Sequence, residues 1–380
     1  MAEKTIILGA GITGLAAGIA TGYPIYEALA CPGGICLSYY KDGFRFEKGG
    51  GHWIFGTDNE VWKFLLDYVF LPQRYERWAG IYFQESGEIV PYPIQNQVEI
   101  KDHYEGPVVT MKDWLAAQFG ESLCHRFFYP FHESYTAGLY KTVAPQDPQK
   151  SPVKGKGYNA SFIYPQEGLD FLTQRMAADC TVDYDKKVEG IDPKAKKVSF
   201  EDGSLIPYDR IISTLPLNVM ANIAGLKADP HTSVAVLNIG AKKGPHCPKE
   251  HWLYIPKSEN GFHRVGFYSN VDANFLPKKK IDLVSLYVER SLLPDEPLPA
   301  GYADAVISEL QSWGFIGEVV TKDLNMIPVA YTYTMPGSTW RQDALDILAE
   351  YGIYQAGRFA RWQFQGIAES IKEGLSWRFR

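Results

Sequence analysis

Gly9-Ala10-Gly11-Ile12-Thr13-Gly14 stands directly after the apolar run Thr5-Ile6-Ile7-Leu8. A strand that stops at a glycine turn leaves the next helix with free N–H groups at its start. Gly9 permits the tight turn, Gly11 lets the backbone approach a pyrophosphate, and Gly14 lets the helix pack close to the strand. The helix N-terminus then attracts phosphate charge. The pattern predicts strand, turn, helix and strand over 4–28, with Pro24-Ile25-Tyr26-Glu27 as the second strand. Glu27 falls where a carboxylate binds ribose hydroxyls. It lies 18 residues after Gly9, short of the usual spacing, so the helix between must be brief.

Working outward, the totals narrow the class. A chain of 380 residues with 46% apolar content can bury the cores of two or three domains. Its 24 Tyr and 9 Trp suit a core and also pockets for planar ligands or sugars. A net charge of −6 gives no electrostatic reason to expect nucleic acid. Five cysteines, an odd number without CxxC spacing, argue against a disulfide framework or a zinc site, and a reducing cytoplasm is expected. The eight histidines show neither HxxxH nor HxH spacing, so no metal is expected. GxSxG and P-loop motifs are absent. Residues 5–21 are Gly- and Ala-rich and follow Glu3 and Lys4; they read as the start of a nucleotide-binding unit, not a signal peptide. No segment approaches 18 continuous apolar residues, so no membrane partner is expected.

Helical spacing of apolar residues predicts helices over 59–70, after Thr110 and over 168–177. Residues 182–215 read as strands, with Asp202-Gly203 as a solvated hairpin turn and Asp209 to Pro216 as a buried strand. Alternating runs over 232–290 predict an antiparallel sheet, and 363–375 returns to a helical pattern. Lys278, Lys279 and Lys280 read as an exposed turn.

A second glycine turn, Pro32-Gly33-Gly34, leads to Gly43-Phe44-Arg45-Phe46-Glu47 and to Gly49-Gly50-Gly51-His52-Trp53-Ile54-Phe55. Far downstream stands Gly357-Arg358-Phe359-Ala360-Arg361-Trp362. Together these resemble the extended FAD-binding pattern of the amine oxidase and protoporphyrinogen oxidase superfamily. The resemblance implies FAD, held by Gly9, Gly11, Ile12, Thr13, Gly14, Glu27, Ala28, Gly33, Gly34, Gly50, Gly51 and His52 from the first segment. It adds Val188 beside adenine, Thr214, and Gly357, Arg358, Trp362 and Phe364. The implied class is α/β, with a Rossmann-like FAD-binding domain of GR2 type in three pieces, 1–58, 158–228 and 340–380. A mainly helical insertion over 59–157 and an antiparallel-sheet substrate domain over 229–339 complete it.

Four segments narrow the resemblance to the UDP-galactopyranose mutases. They are Gly50-Gly51-His52-Trp53-Ile54-Phe55, Pro91-Tyr92-Pro93-Ile94-Gln95-Asn96, the stretch from Trp252-Leu253-Tyr254 through His263-Arg264 to Ser269-Asn270, and Gly352-Ile353-Tyr354 with the Gly357 motif. The resemblance implies interconversion of pyranose and furanose forms of a nucleotide sugar through an adduct at reduced-flavin N5, with an external reductant. His52 and Arg264 would be catalytic; Tyr92, Gln95, Asn96, Arg264, Tyr331 and Tyr333 would bind substrate. The plainer readings are a structural ion pair for Arg264, a core histidine for His52, and packing for the aromatic residues. The Gly-rich stretches near His52 and at Lys154-Gly155-Lys156-Gly157 are candidate mobile loops. Two departures stand out. Phe162-Ile163-Tyr164-Pro165 carries Ile163 where the mutases have a second diphosphate arginine, and Ser134-Tyr135-Thr136-Ala137-Gly138-Leu139-Tyr140 looks more like the general amine oxidases. Both favour the alternative, a flavin oxidoreductase that dehydrogenates a small molecule. A flavin-binding protein without catalysis is the third class.

Overall fold

Thr5–Leu8 is the middle strand of a five-stranded, wholly parallel sheet. The order is Val182–Asp183, Ile25–Tyr26, Thr5–Leu8, Arg210–Ser213, Ile353–Gln355. Ile6, Ile7 and Leu8 are fully buried, as expected where helices cover both faces of a parallel sheet. The computed structural model describes residues 3–70, 72–102, 104–145, 159–278 and 282–379. The glycine-rich stretch at 154–157, Lys279 and Lys280 lie outside them.

The first helix, Ile12–Thr21, is as brief as the Glu27 spacing requires, and it ends at Gly22 in a left-handed cap. It packs on Ile367–Leu375 from the far end of the chain. A Cβ on Gly374 would lie 2.5 Å from that of Ala16, so the two helices touch through small residues. Asn59–Tyr68 is capped by Asp58, whose carboxylate accepts from the N–H groups of Glu60 and Val61. Met111–Phe119 opens with a capping box between Thr110 and Asp113. The Asp202-Gly203 turn joins Lys197–Phe200 to Leu205–Pro207, and Val198 and Phe200 are buried as their alternation predicts.

A second sheet has seven strands. Its order is Ile316–Thr332, His231–Lys243, Leu283–Leu292, Arg264–Phe267, Trp252–Tyr254, Ala79–Phe83, Glu88–Pro91. All its pairs are antiparallel except Trp252–Tyr254 with Ala79–Phe83. Its last two strands come from the 59–157 segment, which is therefore less helical than its sequence implied. A third strand from that segment, Pro72–Glu76, pairs with Ser161–Pro165. Beyond these, the segment folds into helices around Phe119, Phe127, Phe128 and Phe131. The five cysteines are unpaired. Among the described residues no helix is long and apolar enough to cross a membrane, and no His, Cys, Asp and Glu cluster could hold a metal ion.

Candidate cofactor and substrate site

Four neighbouring parallel strands end at one cavity of about 610 Å3. Gly9 follows Leu8, Glu27 follows Tyr26, Thr214 follows Ser213, and Ala356 and Gly357 follow Gln355; all five line the cavity. Ligands of open α/β sheets bind at this carboxyl edge.

The turn is built as its glycines predict. A Cβ on Gly14 would sit 1.9 Å from the Gly9 carbonyl oxygen, so only glycine allows the helix to start this close to the strand. A Cβ on Gly11 would meet no protein atom within 4 Å. The protein's own packing does not require that glycine, so the space it leaves suits a ligand. The helix N-cap, Gly11, has no side-chain capping bond, which leaves the first-turn N–H groups for phosphate. The second glycine turn lies against the first: Gly33 N–H donates to Ala10 at 2.9 Å, and both Gly33 and Gly34 line the cavity. Buried Glu27 braces the turn, accepting from Ala10 N–H at 2.6 Å and Leu29 N–H at 2.9 Å. These features fit a dinucleotide such as FAD, with Glu27 at the ribose end and the helix start at the pyrophosphate. Lys48, which the sequence reading missed, adds a cation to the lining.

Further along the same cavity lie Gly51, His52, Arg358 and Phe364. Burial, with the positive charge of Arg358 adding to it, pushes His52 down to about 4, so its imidazole is neutral at pH 7. Arg358 rests over Phe364 at 5.1 Å and Tyr331 at 5.8 Å, and its Nη atoms donate to the carbonyls of Gln365 and Ala330. No carboxylate pairs with it among the described residues. The His52 shift has a testable consequence. Its folded value lies below the ordinary 6.5, so its contribution is fully present above pH 6.5 and is lost as pH falls towards 4. The loss reaches about 3 kcal/mol. In flavin-free protein, His52→Asn should lose less stability than wild type between pH 6.5 and 4.5. Equal slopes in thermal denaturation would remove His52 as the cause.

The opposite wall comes from the seven-stranded sheet and the helix Tyr129–Tyr135. Arg264 and Glu289 face each other across neighbouring strands. Glu289 accepts from Nε of Arg264 at 2.8 Å and also from Nη2. No protein acceptor takes Nη1 among the described residues. Glu289 was not foreseen, although a lone carboxylate in the apolar run Leu283–Leu292 was a visible signal. Tyr92, Tyr254, Tyr331 and Tyr333 also line this part, with Tyr92 packed on Tyr254 at 4.6 Å between ring centres. Trp114, Phe127, Phe128 and Phe131 close its outer side.

Several expected residues do not reach the cavity lining. Trp362 turns inward, packs on Trp340 and donates its indole N–H to the Tyr333 carbonyl. Gln95 is buried and Asn96 exposed, both on a short turn beyond Tyr92. Ala28 is exposed, and Val188 packs with the Phe200 cluster. Gly14 and Gly50 act behind the lining, where the Gly9 carbonyl and the Glu289 carboxylate approach them. Ile163 is buried in the core, paired with Ile54 and Arg74.

With this geometry in place, comparison with known proteins identifies the fold. Residues 94–257 match the family described as flavin containing amine oxidoreductase. The fold is that of the flavin amine oxidases and their relatives. Within it the chain is similar to UDP-galactopyranose mutase, whose reduced form superimposes with a TM-score of 0.86 at 23% identity, covering 99% of this chain and 93% of that one. A putative protoporphyrinogen oxidase from Exiguobacterium sp. 255-15 gives 0.73 at 15% identity, covering 100% and 98%. Putrescine oxidase bound to putrescine gives 0.64 at 15%, covering 99% and 98%.

Proposed function

We propose that this protein is an FAD-dependent enzyme that interconverts ring forms of a nucleotide sugar, as the name of its mutase neighbour suggests. The observation that carries the reading is the continuity of one cavity from the Gly9–Gly14 turn, past His52, to Arg264. When bound and reduced, the flavin supplies the electron pair for exchange at the sugar's anomeric carbon. The chain's own residues hold and shield. The helix start and Glu27 fix the dinucleotide. Glu289 fixes the Arg264 guanidinium plane and leaves Nη1 for a diphosphate oxygen. Neutral His52 offers a hydrogen bond beside the flavin without adding charge. The wall of Trp114, Phe127 and Phe131 excludes water from the reacting atoms.

A second reading, an oxidoreductase acting on a small molecule, is favoured by the neutralisation of Arg264 by Glu289 and by the burial of Ile163. One assay separates the two. Purified protein is incubated anaerobically with UDP-galactofuranose, oxidised in one sample and dithionite-reduced in the other. Conversion to UDP-galactopyranose in the reduced sample alone is the expected result. No conversion in either, with an added amine reducing the oxidised flavin and O2, once admitted, reoxidising it, would overturn the mutase reading.

A further inference from the structure

We propose that Lys48 is the counter-charge of the dinucleotide pyrophosphate, the cation that the two glycine turns do not themselves supply. The inference rests on the FAD reading and adds a residue to it. Lys48 lines the cavity together with Gly33, Gly34 and Cys36 of the second turn. Backbone contacts tie it to the phosphate end. Its N–H donates to the Leu37 carbonyl at 2.8 Å, and Cys36 N–H donates to the Gly33 carbonyl at 2.9 Å. Gly33 in turn forms a parallel bridge with Gly11, the N-cap of the first helix. The lysine stem starts from a rigid place. The strand before it, Phe44–Glu47, is buried along its whole length. The Glu47 carboxylate accepts from Ser38 and Tyr164, and the Glu47 carbonyl accepts from Asn238 at 3.0 Å. The other end of Lys48 is free. The side chain is half-buried, and among the described residues no carboxylate or carbonyl takes its ammonium.

Charge singles this residue out. Among the described residues the lysines and arginines of the lining are Lys48, Arg264 and Arg358. Arg264 is bound to Glu289 at the substrate end. Arg358 rests over Phe364 and donates to the carbonyls of Gln365 and Ala330. Glu27 braces the first turn, so a carboxylate already stands beside the place of a dianionic pyrophosphate. The helix start offers only about half an elementary charge against both. An ammonium group adds a full charge and up to three donors for phosphate oxygens. Lys48 also directly precedes Gly49-Gly50-Gly51-His52, so the same contact fastens the glycine loop that carries His52.

The test uses the full-chain protein, stripped of flavin and refilled with FAD or riboflavin, in wild type, Lys48→Met and Lys48→Arg. Lys48→Met should weaken FAD about tenfold or more and leave riboflavin, which has no phosphate, as wild type holds it. Lys48→Arg should restore most of the FAD affinity. FAD binding should depend less on salt in Lys48→Met than in wild type, and the two stripped proteins should melt together. If Lys48→Met holds FAD as tightly as wild type, or loses FAD and riboflavin alike, the role of Lys48 is overturned while the FAD reading stands. A lower melting temperature of the stripped variant, with unchanged salt dependence, would make Lys48 a structural residue and also overturn it. If wild type holds riboflavin as tightly as FAD, the dinucleotide reading and the role of Lys48 fall together.

Discussion

Replacing Glu289 by alanine should cost about 3–5 kcal/mol of stability and remove activity with it. Glu289 is 2% exposed and takes two hydrogen bonds from Arg264, while His263 stands 3.6 Å away. Burial opposes its ionisation, yet Arg264 and then His263 outweigh burial and hold it down at about 2. A depressed carboxylate stabilises the fold above its ordinary range near 4.5 and loses that contribution as pH falls through about 2. At pH 7 the full contribution is present, so that is where the alanine variant should be compared. Removing the carboxylate strands a guanidinium against the Tyr287 ring, 6.0 Å away, with no charge to answer it. Glu289→Gln should lose less, because its amide oxygen still accepts from Arg264. The double variant Glu289→Ala with Arg264→Met should recover part of the loss, since no unpaired guanidinium is then left behind. Urea denaturation measures all four proteins. An alanine variant as stable as wild type would show that Arg264 already finds its counter-charge elsewhere.

Gly14→Val should give a colourless protein that is less stable by more than about 4 kcal/mol. The clash is with the Gly9 carbonyl, which is backbone and cannot swing aside. The helix must lift away from the strand, and the turn that cradles the dinucleotide opens with it. Gly11→Ala is the paired control. Its φ of −69° is ordinary for alanine, and its Cβ meets no protein atom, so the fold should be untouched. The methyl group nevertheless occupies space that the glycine leaves beside the helix start, and flavin affinity should drop. Absorbance at the flavin band and thermal denaturation of the stripped proteins separate the two effects. Flavin retained by Gly14→Val would mean that the helix start does not hold it.

What the sequence disclosed follows from how local each signal is. The Gly9–Gly14 turn, the capped helices and the Asp202-Gly203 hairpin are written in neighbouring residues, and the structure places them as read. Ala79–Phe83 and Glu88–Pro91 were not read as strands. They are short, and what holds them in the sheet is pairing with Trp252–Tyr254, far along the chain. The same limit applies to the site. Arg264 could be singled out from its motif, but its partner emerges only from the register that sets it opposite Glu289. Motif membership also overreached, because it does not record which way a side chain turns. Trp362 and Gln95 belong to the matching segments, yet they point into the protein.

The packing of Gly357 and Gly374 on the first helix sets an order of events in biogenesis. Gly357 packs so tightly on Thr13 that an added Cβ would lie 2.6 Å from its hydroxyl oxygen, and Gly374 closes on the same helix. The cradle can therefore close only after the segment that carries Gly357 and Gly374 has been translated, more than 340 residues after Gly9. Until then the strand edge at Ser213 waits for Ile353–Gln355, exposed to other nascent chains. Cofactor loading belongs after synthesis, and yields in a heterologous host should respond more to chaperone supply and a slower translation rate than to added riboflavin.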